Sequence, residues 1–394
     1  MNKKRKIAIL FTPAYGHINP ILPVVRELVK RGHIVSFYGT DEFKKIIEAT
    51  GSKFILYKKT KFKYVDSNIM TNAFKLVDFM IDASEIILKI NPFSKKDKPD
   101  IIIHDSLTLW GKIIAHKYSI PAVSVSVGML PNPKILLYYT RPDLKILFKS
   151  LLHTYFARKR YMKLLKEAGI SYKGFNDIFI NEEKCNLVFT TKFFQLYSDT
   201  FKNISFVGPS LVPTKIDKEI ATFLKNKKHV VYVSLGTITN NDVNFFRICI
   251  DVFKNTKYNV IISLGKQISL TSLPSIPGNI FVRQYWPQLK ILENSELFIT
   301  HGGMNSIMES AYYGVPMIVV PQRMEQRICA LRLQELGAGI FIDKKKFTKE
   351  RLDKAINKIK TDPSFARQIK RLQNSIIKAG GYKKAVDEIL LHTN

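Results

Sequence analysis

The stretch that decides the fold reads Thr300-His-Gly-Gly-Met-Asn-Ser-Ile-Met-Glu309. The apolar run Glu296-Leu-Phe-Ile-Thr300 at its start has the pattern of a buried strand, and the apolar residues after it recur at helical spacing. A strand, a glycine turn and a helix start, in that order, present backbone N–H groups to an anion. We therefore predict an anion site formed by Gly302, Gly303, Asn305 and Ser306.

The polar side chains near this turn indicate which anion would bind. His301 could donate to a phosphate oxygen, and the carboxylate of Glu309, two turns into the helix, could accept from both hydroxyls of a ribose. An acid-amide pair, Glu325 and Gln326, follows the next predicted strand. This combination fits a diphosphate with a ribose on one side and a sugar on the other. The structural alternatives are a buried histidine, a solvated helical acid and an acid favoured by a helix dipole.

Short apolar strands alternate with amphipathic helices along the whole chain, which predicts parallel sheets covered by helices. The strands predicted in the second half are His229–Leu235, Asn259–Leu264, Ile280–Gln284, Leu297–Thr300 and Met317–Val320. The first of them ends in Val233-Ser-Leu-Gly-Thr237. Its residues Ser234, Gly236 and Thr237 are placed to meet the diphosphate.

The first half begins with a clear strand-helix unit. Lys6–Thr12 is predicted as a strand, and Asn19 and Pro20 suit a helix cap and first helical position. Further strands are predicted at His33–Gly39, Asp100–His104 and Ala122–Val127. A basic helical pattern extends from Leu147 to Ala168.

A candidate general base and its partner follow two of these strands. His17 comes just after the first strand, and a neutral imidazole is suited to proton removal near pH 7. Asp105 ends another strand of the same sheet, so its carboxylate could fix the tautomer of His17. The structural alternatives are a helix-capping His17 and an Asp105 that caps the next helix. His104 is a rival partner, but strand alternation should point it the other way.

Two segments carry a family resemblance. Val282 to Gly337 resembles the nucleotide-sugar signature of the UDP-glycosyltransferase superfamily. Pro13-Ala-Tyr-Gly-His-Ile-Asn-Pro20 is similar to the bacterial macrolide-type members, which glycosylate small lipophilic acceptors. The resemblance implies an α/β protein of the GT-B class, with two Rossmann-like domains whose parallel sheets face each other across a cleft.

The resemblance also implies roles for individual residues. It makes His17 and Asp105 a catalytic dyad and assigns His301 to a phosphate and Glu309 to the ribose. In the family the acid-Gln pair, here Glu325 and Gln326, bonds the sugar hydroxyls, and the segment from Val282 to Gln288 binds the base. The family often has a stacking Trp where this chain has Tyr285, and Trp286 comes one residue later. Tyr285 could still stack, Trp286 could instead pack between the domains, and Gln288 would read the base edge.

The domain boundaries follow from proline and glycine positions and from the resemblance. We predict an N-terminal acceptor-binding domain at 1–206 and a linker at 207–220, where glycine and prolines cluster. A nucleotide-sugar-binding domain would occupy 221–375. The last helix, at 376–394, would pack back toward the N-terminal domain.

These features predict an inverting, metal-independent transferase. It would move a sugar, with UDP-glucose as the expected donor and dTDP-sugars left open, to a hydroxyl of a macrolide, flavonoid or similar molecule. The chain has no Asp-x-Asp sequence and no His/Cys cluster with metal-ligand spacing, so neither a metal nor a further cofactor is expected. The acceptor pocket would use the aromatic segments Phe62–Phe79 and Met129–Tyr139. The rivals are a transferase acting on a membrane lipid, a sugar-nucleotide epimerase and a basic nucleic-acid-binding protein.

Composition limits the remaining possibilities. Hydrophobic residues make up 46% of the 394 residues, which excludes a disordered chain, and no apolar run approaches the ~20 residues of a membrane span. A short apolar start and three scattered cysteines favour a cytoplasmic protein with free thiols. The net charge of +30 comes mainly from lysines spread along the chain, so we favour compositional drift over a nucleic-acid partner. Weak contact with an anionic membrane stays open, and a monomer or homodimer is expected.

Overall fold

The computed structural model describes residues 4–57, 73–89, 93, 97–132, 134–135, 144–174, 177–212, 218–236 and 240–393, with backbone alone at 73–77 and 144–154. Thr237 lies outside the described residues. So do residues 62–72, 133 and 136–139 of the two predicted acceptor segments.

The chain divides into two compact units. The first comprises Met1–Leu211 together with Ala379–Asn394, and the second comprises Val212–Lys378. The first boundary between the units, after Leu211, falls inside the linker predicted at 207–220. The second boundary, after Lys378, lies close to residue 376, where the last helix is predicted to begin. That helix belongs to the first unit.

The first unit contains a seven-stranded parallel sheet in the order β3-β2-β1-β4-β5-β6-β7. Its strands are β1 (Lys6–Leu10), β2 (Ile34–Gly39), β3 (Lys53–Leu56), β4 (Ile101–Asp105), β5 (Ala122–Ser126), β6 (Cys185–Val188) and β7 (Ile204–Phe206). Its helices are α1 (Tyr15–Lys30), α2 (Lys44–Glu48), α3 (Ala73–Leu88), α4 (Leu109–Lys117), α5 (Leu144–Glu167), α6 (Asp177–Ile180) and, from the end of the chain, α14 (Gly381–His392).

Alternation along β1 explains how helices cover both faces of this sheet. Ile7 and Ile9 join a buried cluster that includes residues of α1 and α14, whereas Ala8 and Leu10 join a different cluster with residues of α3 and α4. Side chains two apart share a face of a strand, so one short strand contributes to two cores. α14 is further tied to the end of α1 by an ion pair of 2.5 Å between Arg31 and Asp387.

The start of α1 corrects one prediction. The helix begins at Tyr15 and not at Pro20, and Pro20 and Pro23 both lie inside it. Ala14 is the N-cap residue with an extended backbone, and His17 and Ile18 in the next turn are buried. Each of the two prolines lacks an N–H and so removes one backbone hydrogen bond from the helix. Packing of its buried residues stabilises the helix, as it does for most helices in proteins. His17 therefore lies within the first turn of the helix and not before it.

The second unit contains a six-stranded parallel sheet in the order β10-β9-β8-β11-β12-β13. Its strands are β8 (Val230–Ser234), β9 (Asn259–Ser263), β10 (Ile280–Arg283), β11 (Ser295–Thr300), β12 (Met317–Val319) and β13 (Gly339–Phe341). Its helices are α7 (Lys218–Lys225), α8 (Val243–Phe253), α9 (Gln288–Glu293), α10 (Met304–Tyr312), α11 (Met324–Glu335), α12 (Lys349–Thr361) and α13 (Ser364–Ala379).

Four strands of the two sheets are absent from the sequence prediction, namely β3, β6, β7 and β13. All are three or four residues long; three of them (β3, β7 and β13) are edge strands, and β6 lies next to an edge. Such short runs carry too little periodicity to be recognised from sequence. None of the helices described in the structure is long and apolar enough to cross a membrane.

Candidate active site

The predicted site residues lie at corresponding places in the two sheets. In each sheet the strand order reverses direction between two central strands, at β1 and β4 in the first unit and at β8 and β11 in the second. Ligands of open parallel sheets bind outside the carboxyl ends of the strands at such a reversal. His17 follows β1 and Asp105 ends β4, whereas Gly236 follows β8 and His301 follows β11.

In the first unit the structure brings His17 and Asp105 together. Nδ1 of His17 lies 2.5 Å from Oδ2 of Asp105, and both side chains are at least nine-tenths buried. A carboxylate accepts hydrogen bonds and does not donate them, so Nδ1 of His17 carries the proton in this pair. Nε2 is then the nitrogen with the lone pair, which is the tautomer that a general base needs.

The other oxygen of Asp105 has a separate local task. Oδ1 accepts the backbone N–H of Leu107 at 2.8 Å, so Asp105 both orders the turn after β4 and contacts His17. His104 turns the other way, as strand alternation requires. Its Nδ1 lies 3.0 Å from the backbone oxygen of Asp105 and its Nε2 lies 3.2 Å from Glu183. His104 therefore does not compete for the carboxylate of Asp105.

In the second unit the ring of His301 lies between two glycines. A Cβ on Gly236 or on Gly303 would lie 2.7 Å from an atom of this ring, closer than real Cβ atoms come. Gly236 also has φ of +77°, a region that favours glycine. Gly303 caps α10, and the first intrahelical bond runs from the N–H of Ile307 to the oxygen of Gly303. Glycine is therefore required at these positions for the ring to approach the helix start.

The protonation state of His301 is set by its surroundings. Burial, together with the positive charge of Arg323, lowers the pKa of the imidazole from 6.5 to about 4, and a hydrogen bond with the Ser234 backbone opposes this shift. His301 is therefore neutral near pH 7. A neutral ring has a single N–H, so it brings no charge to a phosphate and can donate to one only when that N–H does not bond the Ser234 backbone.

Arg323 is a residue that the sequence analysis missed. It is the N-cap residue of α11 and only 9% exposed. The ends of β11 and β12 are joined by a bond from the N–H of Val320 to the oxygen of Thr300, so the loops carrying Arg323 and His301 are neighbours. The signal for Arg323 was its place between Pro321 and the acid-amide pair, directly after a buried strand.

Three predicted donor residues meet on one side of α10. The amide of Gln288, at the start of α9, donates to Oε2 of Glu309 at 2.6 Å and lies 3.4 Å from Oγ of Ser306. Burial raises the pKa of Glu309 from 4.5 to about 7, and the bond from Gln288 opposes that rise. Gln288, predicted to read a base edge, is thus placed to orient the carboxylate of Glu309.

The two aromatic residues before α9 have different surroundings. The side chain of Tyr285 is 74% exposed, whereas Trp286 is 2% exposed. Trp286 stacks on Phe223 of the same unit, with ring centroids 5.2 Å apart, and the guanidinium of Arg283 lies 4.3 Å from its ring. The ring of Trp286 is therefore used in packing, as its predicted alternative to donor binding had it, but within the second unit. Tyr285 is the ring left open for a base.

The acid-amide pair begins α11, and its two members point differently. Glu325 is exposed in the first turn, whereas Gln326 is 6% exposed and its Oε1 accepts the N–H of Gln322 at 2.8 Å. Gln326 therefore also holds the loop that carries Arg323. Among the residues that the structure describes, no group of three or more His, Cys, Asp or Glu side chains could hold a metal ion.

Comparison with known proteins agrees with this geometry. Residues 248–385 match the family model described as Erythromycin biosynthesis protein CIII-like, C-terminal domain. The NDP-glycosyltransferase YjiC of Bacillus licheniformis is 36% identical over 98% of this chain and 97% of its own. The chain belongs to the bacterial macrolide-type glycosyltransferases. It is therefore an enzyme, and the sequence prediction of this family is confirmed.

Two further comparisons bear on this glycosyltransferase. The oleandomycin glycosyltransferase of Streptomyces antibioticus is 28% identical over 97% of this chain and 90% of its own. The crystal structure of CalG4, the calicheamicin glycosyltransferase, matches with a TM-score of 0.82 at 24% identity, over 99% of this chain and 98% of that one. The predicted α/β class, GT-B with two Rossmann-like parallel-sheet domains, is confirmed.

Proposed function

We propose that this glycosyltransferase moves glucose from UDP-glucose to a hydroxyl of a small lipophilic acceptor, with inversion at the anomeric carbon. The observation that supports it most is the contact of 2.5 Å between His17 and Asp105 after two central strands of the first unit. Relatives named for oleandomycin and calicheamicin favour a natural-product acceptor.

In the proposed step Nε2 of His17 takes the proton of the acceptor hydroxyl. The oxygen attacks the anomeric carbon as the bond from that carbon to the diphosphate oxygen breaks, and UDP leaves with the electron pair. Asp105 stabilises the imidazolium that forms at His17. One displacement on an α-linked donor gives a β-glycoside, and the imidazolium then loses its proton to water.

The leaving group needs positive potential, since charge grows on the diphosphate as the bond breaks. We propose that the amides at the start of α10 and a hydrogen bond from His301 contact the phosphates. Because His301 is neutral, the guanidinium of Arg323 would supply the full positive charge. This arrangement lets the reaction proceed without a metal ion.

The other donor contacts complete the proposal. Glu309, oriented by Gln288, would accept the ribose hydroxyls, and Tyr285 would stack on the base. Glu325 and Gln326 would bond the sugar hydroxyls. Ser234 lies at the end of β8 beside Gly236, where its hydroxyl could reach the diphosphate.

The test is release of nucleoside diphosphate from UDP-glucose and from dTDP-glucose, against a panel of macrolides and flavonoids, with and without EDTA. We expect release that depends on the acceptor, is insensitive to EDTA and gives a β-glycoside by NMR. Release without any acceptor would overturn the proposal in favour of hydrolysis or epimerisation. Loss of activity in EDTA, restored by a divalent cation, would contradict metal independence.

A further inference from the structure

The helix α5 has two contrasting faces. From Tyr155 onward its inner side chains are buried, and they form a cluster with residues of α3, α4 and α6 that includes Ala157, Tyr161, Leu164 and Leu165. This cluster fixes the rotation of the helix, so the residues on the opposite side must point to solvent.

From Tyr155 onward, where the side chains are described, the outer face of α5 carries Tyr155, Phe156, Lys159, Met162, Lys163 and Lys166. Their spacing of three, four and seven residues places them on one stripe of the helix. Tyr155 and Phe156 are each 61% exposed, and Met162 is 40% exposed. The rings of Tyr155 and Phe156 pack edge to face, with their centroids 5.6 Å apart. The three lysines are exposed as well.

Neighbouring charges leave this stripe strongly basic. Arg160, at its margin, is paired with Asp82 and Glu85, and Arg158 lies over the ring of Tyr172. Lys163 approaches Glu167 at 3.9 Å, with both side chains mostly exposed, which is a weak pair. The lysines of the stripe also line a surface pocket whose other wall is Gly169–Tyr172.

Exposed aromatic rings interleaved with lysines suit one kind of partner better than others. Tyr and Phe insert at the boundary of lipid headgroups and acyl chains, while lysines extend to the headgroup phosphates. An anionic bilayer adds attraction for each lysine near its surface. We propose that the outer face of α5 docks the first unit on an anionic lipid bilayer. This inference does not depend on the acceptor or on the proposed chemistry.

The test is flotation of the full chain with vesicles of phosphatidylcholine, alone or mixed with phosphatidylglycerol, in about 0.1 M salt, where exposed charges still act over about 10 Å. We expect binding to the anionic vesicles only. Replacing Lys159, Lys163 and Lys166 together by Glu should lower the partition constant by more than about tenfold, since each basic residue near the surface contributes. Tyr155→Ser with Phe156→Ser should weaken binding with the charge unchanged.

The matched control replaces three exposed lysines of α12 in the second unit by Glu, namely Lys349, Lys354 and Lys358. It changes the net charge equally, and thermal melts show whether each variant is folded. The control should bind vesicles nearly as well as the original chain. Equal losses in both triple variants would mean that total charge alone causes binding and would overturn the proposal. Absence of vesicle binding with retention on DNA would also overturn it.

Discussion

His17 and His301 each follow a central strand at the point where the strand order of their sheet reverses, yet they have opposite surroundings. Each follows a central strand and lies at or just before the start of a helix. A carboxylate contacts His17 at 2.5 Å, whereas His301 is buried near the guanidinium of Arg323, and its pKa falls to about 4. The same type of side chain, after one or the other of the two central strands of a parallel sheet, thus has two different environments. The carboxylate of Asp105 fixes the ring of His17 by a hydrogen bond, whereas burial and then the charge of Arg323 keep His301 neutral.

The largest effect should come from removing the base. His17→Ala should lower the rate of transfer at saturating donor by about 10³-fold, within the range of general-base catalysis. The matched control is His116→Ala, which removes an exposed histidine of α4 in the same unit. Single-turnover rates of both variants measure the difference. Transfer by His17→Ala within a few fold of the original rate would remove His17 from the chemistry.

Asp105→Asn tests the tautomer argument with a smaller change. The N–H of Leu107 donates to Oδ1, so the amide of Asn would place its oxygen there and its NH₂ toward His17. Nδ1 of His17 must then accept, and the proton moves to Nε2, where the base is needed. We expect kcat to fall about 10²-fold or more. The control is Asp100→Asn, at the other end of β4, whose carboxylate accepts the N–H of Lys6. An equal loss in both variants would indicate general damage to the sheet.

Arg323→Met tests the cation that sequence reasoning missed. Losing a hydrogen bond to a charged group costs about 1.5–3 kcal/mol, so the dissociation constant of UDP-glucose should rise about 10- to 100-fold. The matched control is Arg327→Met, one turn along α11, where the guanidinium pairs with Asp343. NMR titration should also show the pKa of His301 higher in Arg323→Met. Unchanged donor affinity together with an unchanged pKa would show that Arg323 acts on neither.

The smallest effect concerns the pH dependence of donor binding. The pKa of Glu309 is raised to about 7, so the carboxyl loses its proton as pH rises through that value and becomes an acceptor for both ribose hydroxyls. UDP-glucose should therefore bind several-fold more tightly at pH 8 than at pH 6, about as expected for one ionisation. UDP-glucose is the right probe because its diphosphate is esterified at both ends. Glu309→Gln should give a flat profile, and a profile unchanged by that variant would contradict the assignment.

The same shift has a consequence for stability. The unfolded carboxyl ionises near 4.5 and the folded one only near 7, so the free energy of unfolding should fall as pH rises between these values. Glu309→Gln should remove that component. Thermal melts of the variant and the original chain at several pH values compare the two slopes.

The comparison of the two histidines also shows what sequence could predict. The placement of His17, Asp105 and His301 could be predicted because residues that follow buried strands of a parallel sheet lie at one edge of that sheet. The burial of Arg323 could not be predicted from the sequence, since an arginine before a helix is usually solvated. The stacking of Trp286 on Phe223 could not be predicted either, because the two residues are far apart in sequence and only the tertiary fold brings them together.

The surface of α5 illustrates a similar limit. The sequence showed a basic helical pattern from Leu147 to Ala168, but not which of its residues share an exposed face, and the spread of lysines along the chain favoured a reading of the +30 charge without function. Only the rotation of the helix, fixed by buried Tyr161 and Leu164, collects Lys159, Lys163 and Lys166 on one side with the exposed aromatic rings. Composition cannot report such a stripe, because it depends on which face the core covers.

The most direct test of the roles assigned to the two units, base in the first and cation in the second, is calorimetric titration of UDP into His17→Ala and Arg323→Met. The transfer rates of both variants are measured for comparison. The account predicts that His17→Ala binds UDP like the original chain while its transfer is nearly lost. It also predicts that Arg323→Met binds UDP about 10- to 100-fold more weakly. Weakened UDP binding in His17→Ala, or unchanged binding in Arg323→Met, would contradict the assignment of base and cation.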